Sequence, residues 1–116
     1  MGLIKEMGTL DELWTESAKG TASGGKVFLT FTSDWCPDCL NLVPPATKAF
    51  EGLSGPNDIM YLFNVGDKEV WRNPENPLRT DDRTKLTAIP TIIDMNSGVR
   101  LVEGECTVDA VEALLA

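Results

Sequence analysis

The chain alternates between short apolar runs and segments in which apolar residues recur at helical spacing. Apolar, partly β-branched runs bounded by polar or glycine residues predict buried strands, and a spacing of three and four residues predicts the helices that cover them. Five strands are predicted from this pattern: Leu3–Met7, Val27–Phe31, Asp58–Val65, Thr91–Asp94 and Val99–Val102.

Helices are predicted after the first, second and last of these strands. The first helix starts at Thr9, which makes a capping box with Glu12, and is followed by a flexible connection over residues 20–25. The second helix runs from Cys39 to Phe50 and contains Pro44-Pro45. These prolines lack backbone donors and should kink the helix.

The remaining segments complete the predicted order of elements. Residues 68–85 are polar and predict a long loop with a short helix, and Asn96-Ser97-Gly98 is typical of a hairpin turn. Apolar residues at helical spacing over 108–115 predict a last helix. The resulting order, βαβαβ–α–ββα, predicts an α/β fold in which helices flank a mixed β-sheet.

The composition is that of a single globular domain spanning residues 1–116. A hydrophobic content of 42% argues against disorder, and no apolar run approaches the roughly 18 residues needed to span a membrane. The net charge of −8 argues against nucleic acid as a partner, because phosphate binding needs a basic surface. The first seven residues lack the cleavage site of a secretory signal, so the cytosol is the expected location in the cell.

Two features of the composition restrict the chemistry: the chain has no histidine and three cysteines. Without histidine, Cys-His nucleophilic catalysis, Ser-His-Asp triads and histidine-ligated metals are excluded. An odd and small number of cysteines makes a poor disulfide scaffold, whereas a redox pair works well in a reducing compartment. A thiol of this chain must therefore be activated by the backbone or by another kind of side chain.

Cys36 and Cys39 lie at the predicted junction of the second strand and the second helix. A Cys-X-X-Cys pair at such a junction is typical of a thioredoxin-like redox site, in which one thiol attacks a disulfide and the other resolves the mixed disulfide. With Cys36 as the N-cap, Pro37 takes the first helical position, and the positive end of the helix favours the Cys36 thiolate. Asp38 suits the helix dipole but its carboxylate opposes the thiolate, so Pro37 and Asp38 are both expected to modulate the pair.

Two other interpretations of the cysteine pair stay open. It could be half of a zinc site, but such a site needs about four ligands. Only Cys106 remains besides the pair, so no metal is expected. The pair could also be two unrelated buried thiols. Cys106, which is predicted to open the last helix, is expected to be a buried structural thiol rather than a third redox residue.

Ile89-Pro90-Thr91 precedes the fourth predicted strand. One interpretation is an ordinary trans proline that opens the strand. The other is a cis-proline that lies across from the cysteines and exposes the backbone of Ile89, which could then pair with an incoming substrate chain. Trp35, next to the expected nucleophile, is predicted to be an exposed lid that contacts substrate. Trp71 lies either in a solvated loop or on a surface that shapes substrate access.

Four segments of the chain carry a resemblance to a known family. They are WCPDC at 35–39, VGDKEVWRNPENPLR at 65–79, KLTAIPT at 85–91 and LVEGEC at 101–106. Through these segments, of which the long middle one is the most specific, the chain closely resembles the thioredoxin-related proteins of about 14 kDa. This family comprises thioredoxin domain-containing protein 17 and the Clot proteins.

The resemblance implies a thioredoxin fold and a cytosolic protein-disulfide reductase. Members of the family hold no bound cofactor and are recharged by thioredoxin reductase with electrons from NADPH. They act on small disulfide-containing molecules and on selected proteins. By the same resemblance, Cys36 matches the attacking thiol, Cys39 the resolving thiol and Pro90 the cis-proline.

Three departures limit what the resemblance implies. Pro37-Asp38 stands where ordinary thioredoxin has Gly-Pro, so its broad range of protein substrates is not expected here. Thr30 stands where thioredoxin places a buried aspartate that assists proton transfer. The segment 32–34 is shorter than the loop that some family members carry before the motif. A glutathione-coupled, glutaredoxin-like reductase remains an alternative, because a proline directly after the first cysteine also occurs there. A non-catalytic interaction module, which docks a partner through the acidic surface and the Trp71 loop, is another.

Overall fold

The computed structural model describes residues 2–116, and within them five strands form one mixed sheet. The strands are β1 (Leu3–Met7), β2 (Val27–Thr32), β3 (Ile59–Asn64), β4 (Thr91–Asp94) and β5 (Arg100–Val102). Their order across the sheet is β1-β3-β2-β4-β5. β3 pairs parallel with both β1 and β2, and β4 pairs antiparallel with both β2 and β5. The five predicted strands are confirmed, with ends that differ by at most one residue.

Helices connect and flank these strands. The α-helices of the described chain are α1 (Leu10–Ala22), α2 (Pro37–Leu53), α3 (Lys68–Arg72), α4 (Pro77–Thr80) and α5 (Val108–Leu115). A single turn of 3-10 helix at Glu103–Glu105 joins β5 to α5. No helix within residues 2–116 is long and apolar enough to cross a membrane.

β2 lies at the centre of the sheet and is covered on both faces. Leu29 and Phe31 pack in one core cluster with Leu13 of α1. Phe28 points to the other face, where its ring lies 5.2 Å from that of Phe50 on α2. A strand buried on both sides needs an almost unbroken apolar sequence, which is why β2 was readily predicted. The α/β class and the flanking of a mixed sheet by helices are confirmed.

α2 continues through Pro44 and Pro45, the residues expected to kink it. Because a proline has no N–H, these two residues leave the carbonyls of Leu40 and Asn41 without helical donors. Leu40, Asn41 and both prolines are exposed, so water can reach those carbonyls. The missing hydrogen bonds therefore lie on the solvent side of α2, away from the core.

Two predicted helix boundaries are wrong. α1 continues to Ala22 instead of giving way to a loop at Gly20. Gly20 is buried against β3, where a Cβ atom would lie 3.0 Å from the hydroxyl oxygen of Tyr61, so glycine permits the close approach of helix and strand. Cys106 does not open α5, because Thr107 is the N-cap and its side chain caps the first turn.

Candidate active site

The two cysteines of the motif lie where the chain leaves β2 and enters α2. Cys36 is the N-cap of α2, with an extended backbone (φ −93°, ψ 113°), and Pro37 takes the first helical position. The Cys36 Sγ accepts a hydrogen bond from the Cys39 N–H at 3.2 Å. A backbone donor and the positive end of α2 therefore both face this sulfur, an arrangement that favours negative charge on it.

The two thiols differ in their access to solvent. Both are free, with Cys36 7% exposed and Cys39 1% exposed. Burial, together with the hydrogen bond and charge of Cys36, raises the pKa of Cys39 to about 11, although hydrogen bonds from the Thr32 side chain and the Ser33 backbone oppose the shift. Cys39 therefore holds its proton at neutral pH, and Cys36 is the thiol that a reagent in solution can reach.

The Ile89–Pro90 segment lies against Cys36, and its peptide bond is cis. The Cys36 Sγ donates to the Ile89 carbonyl at 3.7 Å. Among residues 2–116 the Ile89 N–H has no hydrogen-bond partner. The segment thus presents an unused backbone donor beside the more accessible thiol. This is the juxtaposition that the sequence motif suggested.

The other side of this segment is held by residues that follow β5. The Pro90 carbonyl accepts a hydrogen bond from the Glu103 N–H at 2.8 Å and a weaker one from the Cys106 Sγ at 3.6 Å. Cys106 also donates to the Leu101 carbonyl at 3.3 Å. Thiols thus contact consecutive carbonyls of the 89–90 segment, Cys36 from the solvent side and Cys106 from the interior.

Trp35 is half-buried rather than an exposed lid. Its indole Nε1 donates to the Gly66 carbonyl at 2.8 Å. The ring also packs against the core cluster that contains both motif cysteines. The bond to Gly66 holds Trp35 between the start of α2 and the loop that follows β3, so its ring forms a wall of the site.

Trp71 does not lie in a solvated loop, because it is 5% exposed and packs in the core cluster of Cys36 and Cys39. The Arg79 guanidinium lies 4.0 Å from the Trp71 ring centroid, and its Nε donates to the Trp71 carbonyl at 2.7 Å. Asn76 donates to the Val70 carbonyl and caps α4. The 65–79 segment therefore forms two short helices whose inner side supports the cysteine site.

A cleft of about 340 Å³ lies beside the motif at the ends of the parallel strands; we name it the strand-end cleft. It is lined by Glu6, Met7, Thr32, Asp34, Leu62 and Asn64. These residues come from three separate strands and the loop before the motif, so no local pattern identified the cleft. The register could have found it, because Glu6 pairs with Leu62 and Thr32 with Asn64.

Thr30, in the strand below the motif, is 1% exposed, and its Oγ1 has no hydrogen-bond partner within residues 2–116. The same holds for the Ser33 Oγ. Pro37 and Asp38 are exposed on the first turn of α2. In the part of the chain that the structure describes, no three His, Cys, Asp or Glu side chains are grouped so that they could hold a metal ion.

The fold and the site together define a class of protein. A mixed sheet with a Cys-X-X-Cys pair at the N-terminus of α2 and a proline segment against it is a thioredoxin-like arrangement. Solved structures share the fold: the TM-score with a poplar thioredoxin h mutant is 0.70 at 14% identity, covering 98% of this chain and 81% of that one. For the oxidised thioredoxin from Plasmodium falciparum the TM-score is 0.63 at 16% identity, with 97% and 94% covered.

Sequence comparison identifies the family within this class. Residues 16–116 match the family model described as thioredoxin domain-containing protein 17-like, thioredoxin domain. The chain is 32% identical over 91 residues to thioredoxin domain-containing protein 17 of Homo sapiens, with 72% of each chain covered. It is also 32% identical over 94 residues to the thioredoxin-like protein Clot of Arabidopsis thaliana, covering 73% of this chain and 69% of that protein.

A further match, to thioredoxin domain-containing protein 17 of Mus musculus, is 34% identical and covers 62% of this chain and 56% of the mouse protein. The chain belongs to the thioredoxin domain-containing protein 17-like family. The resemblance carried by its four motif segments is confirmed.

Proposed function

We propose that this chain is a dithiol–disulfide oxidoreductase that reduces protein and small-molecule disulfides. The observation that carries the proposal is the asymmetry of the cysteine pair. Cys36 caps α2, is the more accessible thiol and faces the Ile89 backbone, whereas Cys39 is buried one helical turn further on. This asymmetry suits a two-step reaction in which one thiol attacks and the other resolves.

In the first step the Cys36 thiolate attacks one sulfur of a substrate disulfide. A Cys36–substrate disulfide forms, and the other half of the substrate leaves as a thiolate that takes a proton from solvent. In the second step Cys39 attacks the Cys36 sulfur, the intramolecular disulfide closes and the second half of the substrate leaves. The two electrons of the dithiol pass to the substrate, so no bound cofactor is required.

Substrate is held along the Ile89–Pro90 segment. The free N–H of Ile89 can donate to a carbonyl of a bound chain, in the manner of one added strand residue. The half-buried ring of Trp35 supplies an apolar wall on the other side of Cys36. A hydrogen bond from the Ile89 N–H does not depend on the side chains of the substrate, so the site accepts peptides as well as small disulfides.

The oxidised pair must be reduced again after each turnover. Membership of the family supports thioredoxin reductase as the donor, with electrons from NADPH, and the cytosol as the compartment. Because the chain uses no bound cofactor in this scheme, it depends on thioredoxin reductase for its electrons. Its acidity suits a reductase with a basic docking face.

An NADPH-coupled assay tests the proposal. The parent chain, with thioredoxin reductase and either insulin or cystine, is expected to consume NADPH, and Cys36→Ser is expected to lose this activity. Turnover only with glutathione and glutathione reductase would favour the glutaredoxin-like alternative. A chain with no turnover in either system, and with partner binding that survives replacement of both cysteines by serine, would be an interaction module.

A resolving role for Cys39 predicts a trapped intermediate. In Cys39→Ser the first attack still occurs, but no thiol is present to open the mixed disulfide. A covalent complex with a peptide disulfide should therefore accumulate and be visible by intact-mass spectrometry, whereas Cys36→Ser should form none. Steady turnover by Cys39→Ser at the parent's rate would contradict the two-cysteine mechanism.

A further inference from the structure

The backbone of Ile89 and Pro90 has both of its carbonyls bonded and its single donor open. The Ile89 carbonyl accepts a hydrogen bond from Cys36, and the Pro90 carbonyl is bonded from the interior. Since proline has no N–H, the only backbone donor of the two residues is the Ile89 N–H, which has no partner within residues 2–116. Under the proposed function, this N–H is the group that a substrate chain uses.

The contact between Cys36 and the Ile89 carbonyl cannot last through the reaction. As a thiol, the Cys36 Sγ donates to that carbonyl at 3.7 Å. The attacking species is the thiolate, which has no proton to donate and whose negative charge repels the carbonyl oxygen. The backbone of Ile89 therefore needs other contacts to keep its place once Cys36 is ionised.

The Pro90 carbonyl supplies such contacts from the interior. The register of β4 and β5 pairs Thr91 with Val102 and so places Pro90 opposite Glu103, whose N–H donates to the Pro90 carbonyl at 2.8 Å. In an ordinary antiparallel ladder the residue opposite would also donate to the Glu103 carbonyl, but proline cannot. That carbonyl accepts instead from the Cys106 N–H at 3.0 Å, which closes the turn after β5 next to Pro90.

The turn formed by residues 103–106, which we name the Pro90 anchor, is held in shape by its own contacts. Glu103 has a φ of 51°, a left-handed conformation that is uncommon for a residue other than glycine and persists where surrounding contacts determine it. The Glu105 Oε1 accepts a hydrogen bond from the Val102 N–H at 2.9 Å and so ties the turn back to β5. The donor that Glu103 presents to Pro90 is thereby fixed in place.

Cys106 provides the one side-chain donor of the Pro90 anchor that reaches Pro90. It is fully buried, and its Sγ donates to the Pro90 carbonyl at 3.6 Å and to the Leu101 carbonyl at 3.3 Å. Neither this thiol nor the Glu103 N–H takes part in the proposed exchange reaction. Both can therefore hold Pro90 whether Cys36 is a thiol, a thiolate or half of a mixed disulfide.

We propose that the Pro90 anchor is a positioning element for polypeptide substrates, which holds Pro90 so that the Ile89 N–H stays available to the bound chain while Cys36 is a thiolate. This inference rests on the proposed function. The position of this N–H matters only to a substrate that has a backbone carbonyl, so the anchor favours peptide disulfides over small disulfides that have none. Cys106 and Glu105 act through Pro90 and are positioning residues, since neither touches the reacting sulfurs.

Two mixed disulfides of thionitrobenzoate test this preference, one with a short neutral peptide and one with 2-mercaptoethanol. The Cys36 thiolate attacks the peptide or mercaptoethanol sulfur, and the coloured thionitrobenzoate leaves with the electron pair of the broken S–S bond. The leaving group and its charge are the same in both, but only the peptide offers carbonyls to Ile89. All chains carry Cys39→Ser, which stops the reaction after the first attack. Stopped-flow measurements give the ratio of the two second-order rate constants, peptide over mercaptoethanol.

Two pairs of variants separate the hydrogen bonds from the rest of each side chain. Cys106→Ala removes the thiol donor, and Glu105→Ala leaves the Val102 N–H without its acceptor. Each should lower the ratio about fivefold, the effect of one hydrogen bond. Cys106→Ser keeps a donor and Glu105→Gln keeps an acceptor, so both should keep the ratio within about twofold of the reference. Glu105→Ala and Glu105→Gln remove the same charge, so charge cannot explain a difference between them.

Val111→Ala is the control for a general loss of packing. Val111 is fully buried in the core cluster that contains Cys106, and its side chain forms no hydrogen bond with the Pro90 anchor. This variant should keep the ratio even where it lowers stability. Glu105 is exposed, so Glu105→Ala tests the anchor even if Cys106→Ala does not fold.

The possible outcomes distinguish this inference from the proposed function. An unchanged ratio in both alanine variants of the Pro90 anchor would overturn the inference. An equal fall in the ratio in Val111→Ala, or in Cys106→Ser and Glu105→Gln, would overturn it as well. A reference chain whose Cys36 releases thionitrobenzoate from neither disulfide would instead overturn the proposed function.

Discussion

At the scale of single residues, Cys36, Cys39 and Cys106 are chemically alike but have different surroundings. Cys36 has a helix N-terminus and a route to solvent, and Cys39 is covered by the first turn of α2. Cys106 is fully buried, and burial raises the pKa of its thiol to about 12. Under the proposed function, these differences in burial and hydrogen bonding suit the three thiols to different roles.

The buried thiols predict a loss of stability in alkali. An unfolded thiol has a pKa near 9, whereas the folded values of Cys39 and Cys106 are about 11 and about 12. The folded state therefore holds these protons more tightly, and its advantage is complete below about pH 9 and lost as the pH rises through the folded values. Each such thiol contributes a slope of at most about 1.4 kcal/mol per pH unit above that point.

Cys106→Ser isolates this effect for one residue. Serine keeps a donor for the carbonyls of Pro90 and Leu101 but does not titrate in this range. Urea unfolding from about pH 7.5 to about pH 10.5 should show a shallower decline in the free energy of unfolding for the variant than for the parent. Parallel declines would contradict the assignment to Cys106.

At the scale of secondary-structure elements, the 65–79 segment gives the site its inner support. α3 and α4 have five and four residues, too few to be stable by themselves. Their stability comes from the burial of Trp71 and Leu78 and from the stacking of Arg79 on Trp71. A segment that was predicted to be mostly loop is therefore ordered by tertiary contacts.

Arg79→Ala should measure that support. It removes the cation–π contact with Trp71 and the hydrogen bond to its carbonyl, at a cost of about 1–2 kcal/mol in the free energy of unfolding. Arg72→Ala, in which an exposed arginine of α3 is removed, is the control and should change the free energy by less than about 0.5 kcal/mol. Chemical denaturation of both variants gives the comparison, and equal losses would show that the stacking adds nothing.

The secondary-structure elements also show how much of the fold and of the site can be predicted from the sequence. β2 and the position of Cys36 and Cys39 followed from local pattern, because the apolar strand and the proline after Cys36 are both local signals. The burial of Trp71 could not be predicted that way, since the segment around it is mostly polar and its contacts come from distant parts of the chain. The strand-end cleft was missed for a related reason: Glu6, Asp34 and Leu62 meet only once the parallel register is known. The roles of the site residues stay predictions until the assays above are done.

At the scale of the whole molecule, the net charge of −8 acts on every encounter with a charged disulfide. Acidic side chains near the motif, among them Asp34, Asp38 and Asp67, add to this field at short range. The field attracts cationic reagents and repels anionic ones, and salt screens it over about 8 Å at physiological ionic strength. Substrate preference should therefore depend on charge as well as on shape.

Comparison of two small disulfides tests this expectation. The quantity of interest is the ratio of two second-order rate constants for attack by Cys36, that for cationic cystamine over that for anionic Ellman's reagent. This ratio should be several-fold larger at low salt than at about 0.5 M salt. Rapid-mixing measurements at several salt concentrations give the ratio. A ratio independent of salt would show that the net charge has no part in substrate choice.

The strand order places β1 and β5 at the two borders of the sheet, where each has one side without a neighbouring strand. β1 carries the exposed charges of Lys5 and Glu6, and β5 is only three residues long and begins with the exposed Arg100. Short or charged borders resist pairing with strands of other molecules, which protects a protein from aggregation. Another polypeptide is therefore disfavoured from pairing with β1 or β5 as an added strand. Under the proposed function, the place left for it to add a strand-like contact is the Ile89 backbone, next to the thiol that would react with it.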